Sequence, residues 1–307
     1  MKVIPCATKA DWLAERKLGI GGSDIAALAG VSKWASPYSI WSEKRGLTFI
    51  EVEDTEQIQA GRFMEDGIAR WFGSQEGLHV TPADVYYRSE GDFAVIVQSD
   101  EHTWLRATPD RIIIDEENIE HGPGLLECKN VGWYREEEWA GEDIPLYPQY
   151  QLLWGLMATG YTWGWVAGSI GGNKLVKRKV FRDPETESFL LKTGEAFWDL
   201  VRRGVAPPPD ASEATRDAIK ARYPSAVQGL ATEVDGSLIT RARELQLEIR
   251  TRDKELDLIK NRLQATLGDA EVGTCEGREV CSWRTITSPV MGKVGEKSSR
   301  RFTFKAS

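Results

Sequence analysis

The chain predicts an α/β (α+β) fold over residues 1–205, followed by an extension of different character over residues 206–307. Three observations carry that expectation. Ile112-Ile113-Ile114 is a β-branched run, and Gly122-Pro123-Gly124 turns the chain before Leu125-Leu126, so two strands form a hairpin. Residues 56–72 carry Ile58, Phe63, Ile68, Trp71 and Phe72 on or near one helical face. Ala206-Pro207-Pro208-Pro209-Asp210 has the composition of a linker.

Composition narrows the function classes. At 307 residues with 12 Trp, the chain can bury a sizeable core. A net charge of −8 argues against a generally basic protein that wraps nucleic acid, yet leaves room for a local basic groove. No apolar run is long enough to span a bilayer, and Met1 to Pro5 lacks the apolar stretch of a signal peptide. Cys6, Cys128, Cys275 and Cys281 include no C-x-x-C pair. Zinc ligation is therefore not expected, and reduced thiols in a bacterial cytoplasm are.

Taken in order, residues 12–17 read as a short helix with Thr8 as cap. Leu18-Gly19-Ile20-Gly21-Gly22-Ser23 is a glycine loop feeding a second helix, with Ser23 as N-cap and Gly30 as the stop. Such a loop either offers free N–H groups to an anion or is only a capped turn. Residues 24–33 resemble a repressor helix-turn-helix continuing to about residue 45, but Pro37 falls where the recognition helix would run. Ser36-Pro37 reads instead as the cap and first residue of a new helix closed by Gly46.

Strands are expected at residues 84–88 and 93–97, then the central hairpin of residues 106–130. A helix follows over 145–160, strands over 161–167 and 175–181, and a helix over 187–203. Lys174, Lys177, Arg178 and Lys179 make the last strand either a phosphate-backbone contact or a solvated edge. Beyond the linker, Leu238, Ala242, Leu245, Ile249, Leu256, Ile259 and Leu263 follow a 4-3 spacing broken at Arg252. A helix over about 236–267 is expected there, either a coiled coil or an amphipathic helix on its own domain. Arg300 to Lys305, in a β-like tail, mixes bases and aromatics.

The hairpin holds the candidate chemistry. Asp110 lies early on one strand and Glu127 late on the other, so their carboxylates converge. Lys129, two residues on, shares a strand face with Glu127. Two carboxylates suit Mg²⁺, and a lysine beside them can orient a water. The plainer alternative is a solvated ion pair at a strand end. Glu65 either is solvated on its helix or points back towards Asp110.

Several motifs then fall in a telling order: Arg16 seven residues before Ser23, Gly61-Arg62-Phe63-Met64-Glu65, Ala107-Thr108-Pro109-Asp110, Leu126-Glu127-Cys128-Lys129, and Gln151 before Leu156 to Gly160. Over residues 10–185 this resembles the PD-(D/E)XK nuclease core, and within it the YqaJ-like viral recombinase family that includes the phage lambda exonuclease. The resemblance implies a restriction-endonuclease-like core, a mixed central sheet flanked by helices. It implies that Asp110, Glu127 and the Cys128 backbone carbonyl hold Mg²⁺, for which Mn²⁺ substitutes, with Glu65 as a further ligand. Lys129 and Gln151 would activate or orient the water, and Arg16, Ser23 and Thr108 would grip a 5′-phosphate.

It further implies 5′-to-3′ digestion of duplex DNA from its ends, a single-strand annealing protein as partner, and a homo-oligomer, a ring trimer in some members. Two positions depart from the family pattern: Arg111, where glycine is commonest, and Leu153, where a second glutamine often stands. The rival readings are an endonuclease of the same superfamily and a non-catalytic DNA-binding protein built on residues 24–45.

Overall fold

The computed structural model describes residues 1–48, 55–89, 92–289 and 296–304, with the backbone alone in 287–289 and 296–300. They form two compact units, Met1–Ala226 and Val227–Ser307. The first contains, in order, β1 (Lys2–Cys6), α1 (Lys9–Arg16), α2 (Gly22–Leu28), α3 (Pro37–Lys44), α4 (Glu56–Glu76), β2 (His79–Pro82), α5 (Ala83–Tyr86), β3 (Ala94–Gln98), β4 (Arg106–Ala107), β5 (Arg111–Ile114), β6 (Gly124–Val131), α6 (Leu146–Thr159), β7 (Trp163–Ile170), β8 (Lys174–Phe181), α7 (Pro184–Arg203) and α8 (Glu213–Arg222).

A five-stranded sheet of order β2-β5-β6-β7-β8 forms the centre. Only its β6–β7 pair is parallel, and α6 supplies the crossover that such a pair requires. The sheet is covered on both faces. Ile112, Leu125 and Val166 pack with Leu152 and Leu156 of α6, whereas Ile113, Leu126 and Ala167 pack with Ile68 and Phe72 of α4. Double coverage explains why β6 opens on adjacent leucines rather than an alternating pattern. This is the expected mixed sheet flanked by helices.

A smaller antiparallel sheet, β1-β3-β4, adjoins the glycine loop. The Ile20 N–H donates to the Trp104 carbonyl at 2.7 Å, and the Arg106 N–H to the Ile20 carbonyl at 3.1 Å. Trp154 of α6, fully buried, donates its indole N–H to the carbonyls of Ile20 and Arg106 at 2.9 and 3.1 Å. One tryptophan thereby ties the loop to β4 and α6. A Cβ at Gly19 would stand 2.6 Å from the Trp104 carbonyl, and one at Gly22 3.3 Å from the Gln151 backbone. Close packing therefore requires glycine at 19 and leaves a side chain at 22 little room.

Several expectations change. Residues 84–88 are not a strand: β2 ends at Pro82, opposite Arg111, and the chain turns into the short α5. Residues 106–114 split between two sheets, β4 pairing with β3 and β5 with β6. The helix α2 starts at Gly22 with Gly21 as cap, so Ser23 lies inside it; the Asp24 carboxylate accepts the Gly21 N–H at 2.9 Å in the capping role. Ser36 caps α3 as expected, with Pro37 at its first position. That helix buries Tyr38, Ile40, Trp41 and Lys44, which removes it as a groove-reading helix and with it the repressor alternative. The boundary expected at residue 205 falls at 226, because α8 packs on α3, with Thr215 Oγ1 2.7 Å from Ser36 Oγ.

The basic strand β8 is an edge strand whose charges are committed within the chain. Lys174 pairs with Glu136 at 2.6 Å and Lys177 with Glu76 at 2.5 Å, Arg178 donates to the carbonyls of Gly141 and Glu142, and Lys179 lies over Trp163.

The second unit consists of α9 (Gly236–Leu267) and an antiparallel sheet of β9 (Val272–Cys275), β10 (Arg278–Pro289) and β11 (Glu296–Phe304). Among its described residues α9 buries none, and Leu238, Leu245, Ile249 and Leu256 are exposed. Arg301 and Phe302 of the basic–aromatic motif lie in β11, while Lys305 is outside the described residues. No described helix is long and apolar enough to cross a membrane, and the four cysteines are free.

Candidate active site

The hairpin register builds the site. Arg111 faces Leu126, so Asp110 stands one residue before β5 while β6 continues past it to Val131. The Cys128 N–H, beyond the last β5–β6 pair, donates to Asp110 Oδ2 at 2.9 Å. A strand residue's N–H and C=O point to the same edge, so the Cys128 carbonyl also faces the Asp110 side. Glu127 and Lys129 share the opposite strand face and form an ion pair, with side chains 16% and 23% exposed.

Electrostatics make this an uncomfortable place for carboxylates alone. Burial, then the Asp110 charge, pushes the Glu127 carboxyl up to about 7 against the relief from Lys129. Burial likewise raises Asp110, and burial plus Asp110 raises Glu65. Burial opposes the Lys129 charge, but Glu127 and Asp110 outweigh it and hold the ammonium protonated. Crowded carboxylates with raised pKa values are what a divalent cation would relieve.

A cleft of about 180 Å³ runs from here to the glycine loop, lined among others by Arg16, Ser23, Thr108, Asp110, Glu127 and Gln151. Gln151 Oε1 is buried there with no hydrogen-bond partner among the described residues, an acceptor left for something in the cleft. Glu65 and Lys129 do not line it. Lys129 is joined to it through Glu127, whereas Glu65 is engaged by Arg111. Among the described residues, no three acidic, histidine or cysteine side chains converge as ligands. The donor set that fits an ion is Asp110, Glu127 and the Cys128 carbonyl, all hard oxygens suited to Mg²⁺.

At the other end, Arg16 stacks over Trp12 at 4.8 Å and reaches Ser23 Oγ at 3.4 Å and Asp24 Oδ1 at 3.5 Å. The Trp12 indole N–H donates to Thr108 Oγ1 at 3.2 Å. Asp24 is held by Lys44, whose side chain is fully buried and donates to Asp24 Oδ2 at 2.7 Å and to the Arg16 carbonyl at 2.9 Å. Burial works against the Asp24 charge, but Lys44 and Arg16 overcome it and keep the carboxyl low. The helix α2 spans seven residues. A dipole so short adds little, so anion binding here rests on Arg16 and Ser23.

Sequence reasoning missed Trp12, Asp24, Lys44 and the engagement of Arg111. Trp12 and Arg16 sit at i, i+4 on α1, a spacing that could have paired them. Nothing local signals the Lys44–Asp24 contact, which spans 20 positions.

Comparison with known proteins agrees with this architecture. Residues 11–162 match the YqaJ-like viral recombinase domain. The chain is 30% identical over 287 residues to the uncharacterized protein YqaJ of Bacillus subtilis (strain 168), covering 91% of this chain and 84% of the relative. An alkaline exonuclease (LHK-Exo) from Laribacter hongkongensis superposes with a TM-score of 0.50 at 15% identity, covering 64% of this chain and 94% of that one. The same exonuclease in complex with dAMP gives 0.51 at 16% identity, with the same coverage. The chain thus shares its fold with this exonuclease. The chain belongs to the YqaJ-like viral recombinase family.

Proposed function

We propose that this protein is a Mg²⁺-dependent deoxyribonuclease that digests duplex DNA from 5′-phosphorylated ends, 5′ to 3′, and leaves 3′ single strands for phage-type recombination. One observation carries the reading: a single cleft joins the Asp110 and Glu127 carboxylates to an arginine and a hydroxyl able to hold a terminal phosphate. Asp110, Glu127 and the Cys128 carbonyl hold the ion, with Mn²⁺ as a substitute. When bound, the ion supplies Lewis-acid stabilisation of the oxygens around phosphorus. Lys129 orients the attacking water, and Gln151 Oε1 accepts a hydrogen bond from it.

Arg16, Ser23 and Thr108 hold the 5′-phosphate and set the register, so that the next phosphodiester meets the carboxylates. Attack there breaks the bond to the 3′ oxygen of the terminal nucleotide. A nucleoside 5′-monophosphate leaves, and the shortened strand again carries a 5′-phosphate, ready for the same grip. The structural neighbour crystallised with dAMP holds a molecule of that chemical class.

The exposed apolar positions of α9 are the segment we assign to self-association, a ring trimer, or to a single-strand annealing protein. The setting is the cytoplasm of a bacterial host. The test compares a 5′-phosphorylated linear duplex with a covalently closed circle, each with Mg²⁺ or EDTA. Linear DNA should shorten in Mg²⁺ alone, with mononucleotide products, and the circle should persist. Cutting of the circle would turn the reading to an endonuclease.

A further inference from the structure

Alternation along β5 puts consecutive side chains on opposite faces of the sheet. Ile112 packs on the α6 side and Ile113 on the α4 side, so Arg111 shares the α4 face with Ile113. Its guanidinium bonds the Glu65 carboxylate through Nη1, which also donates to the Asp110 carbonyl at 2.7 Å, while Nη2 lies 3.8 Å from Asp66 Oδ1. With three contacts and a side chain only 12% exposed, this is a fixed arginine rather than a surface one. Glu65 is equally fixed, because α4 is anchored under the sheet by Ile68 and Phe72 one and two turns later. Its carboxylate is thereby held by Arg111, outside the cleft lining but within electrostatic reach of Asp110 and Lys129.

Charge counting gives the consequence. Glu65, Asp66, Asp110 and Glu127 face Arg70, Arg111 and Lys129, leaving one net negative charge. One divalent ion and one phosphodiester bring that to neutrality. A second ion would leave two positive charges uncompensated in a partly buried cleft, which is costly.

We propose that Arg111 puts a permanent charge where Glu65 would otherwise serve a second divalent ion, so that the site takes a single ion and Glu65 is not a ligand. The inference rests on the metal-dependent reading above and specifies its stoichiometry. Arg111 is a positioning residue in this account, acting through Glu65.

Calorimetric titration of the full chain with Ca²⁺, without DNA, tests it. Wild type should bind one ion per chain, and Glu65→Gln should still bind one, weakened by about tenfold at most because one nearby negative charge is gone. Arg111→Ala should gain a second ion, which the Arg111→Ala/Glu65→Gln double variant loses again, and Arg111→Lys should keep one. Circular dichroism checks folding of each. Should Arg111→Ala fail to fold, the comparison of wild type with Glu65→Gln still decides. Two ions in wild type, loss of the ion in Glu65→Gln, or a single ion in folded Arg111→Ala overturns this inference alone. No bound ion in wild type, or binding that survives Asp110→Ala and Glu127→Ala, overturns the ion site of the proposed function as well.

Discussion

Replacing Arg16 with alanine should remove most of the preference for a phosphorylated over a hydroxyl 5′ end. The structure sets the expected size. Arg16 sits 3.5 Å from Asp24, a long contact, whereas Lys44 approaches the same carboxylate to 2.7 Å. Lys44 therefore carries most of the compensation for Asp24, and the Arg16 charge remains available to an incoming anion. Its side chain is 25% exposed and steadied by the Trp12 ring, so little ordering is left to do on binding. A charge-assisted contact of about 1.5–3 kcal/mol corresponds to a loss of roughly ten- to a hundred-fold. Arg16→Lys should recover only part of it, since an ammonium cannot hold two phosphate oxygens in the fork geometry. The assay is the initial rate on matched linear duplexes with and without the 5′-phosphate, for wild type and both variants. Cleavage of the hydroxyl end should change less than that of the phosphorylated one. An equal rate on both ends in wild type, or a preference that survives Arg16→Ala, refutes the phosphate grip and leaves the glycine loop a packing feature.

Three further outcomes follow from the same network. Lys44→Met should destabilise the protein by about 3–5 kcal/mol in denaturant unfolding, because it strands a buried carboxylate; Arg16, then drawn to Asp24, should also lose phosphate preference, and an unchanged preference in the folded variant would contradict that coupling. Saturating Ca²⁺ at about a hundred times its dissociation constant should add roughly 2.7 kcal/mol and raise the melting temperature by several degrees, an effect absent in Asp110→Asn. In EDTA, stability should fall as pH rises from the ordinary glutamate value of 4.5 through about 7, since the folded chain keeps the Glu127 proton that the unfolded chain has released. The span corresponds to roughly 3 kcal/mol, and Glu127→Gln should flatten the profile; an equally steep slope in that variant would assign it elsewhere.

The site was legible in the sequence where chemistry and period coincide. Glu127 and Lys129 are two residues apart on a strand, so the shared face followed from geometry, and the Ile112–Leu125 pairing brought Asp110 alongside. Ser36-Pro37 announced a helix start because both residues act locally. What stayed hidden depends on distant partners. The strand β1 contains Pro5, tolerable only because it lies at the edge of its sheet, paired with β3 some ninety positions away. Residues 84–88 contain Val85, Tyr86 and Tyr87, good strand formers, yet β5 ends its pairing with β2 at Pro82 and leaves them no partner. The helix α8 lacks the apolar period of a long helix and is held by Thr215 and Arg222 meeting α3. Arg111 was visible as an unusual neighbour of Asp110, but its bond to Glu65 arises only once α4 is laid under the sheet.

The most direct test of the metal-centred account is the hydrolysis rate of a 5′-phosphorylated linear duplex by wild type, Asp110→Ala and Glu127→Ala, in Mg²⁺ and in Ca²⁺, with folding verified by circular dichroism. Wild type should turn over in Mg²⁺, bind without turnover in Ca²⁺, and lose activity in either folded variant. Full activity in EDTA, or in folded Glu127→Ala, would contradict the assignment of these carboxylates as the centre of the chemistry.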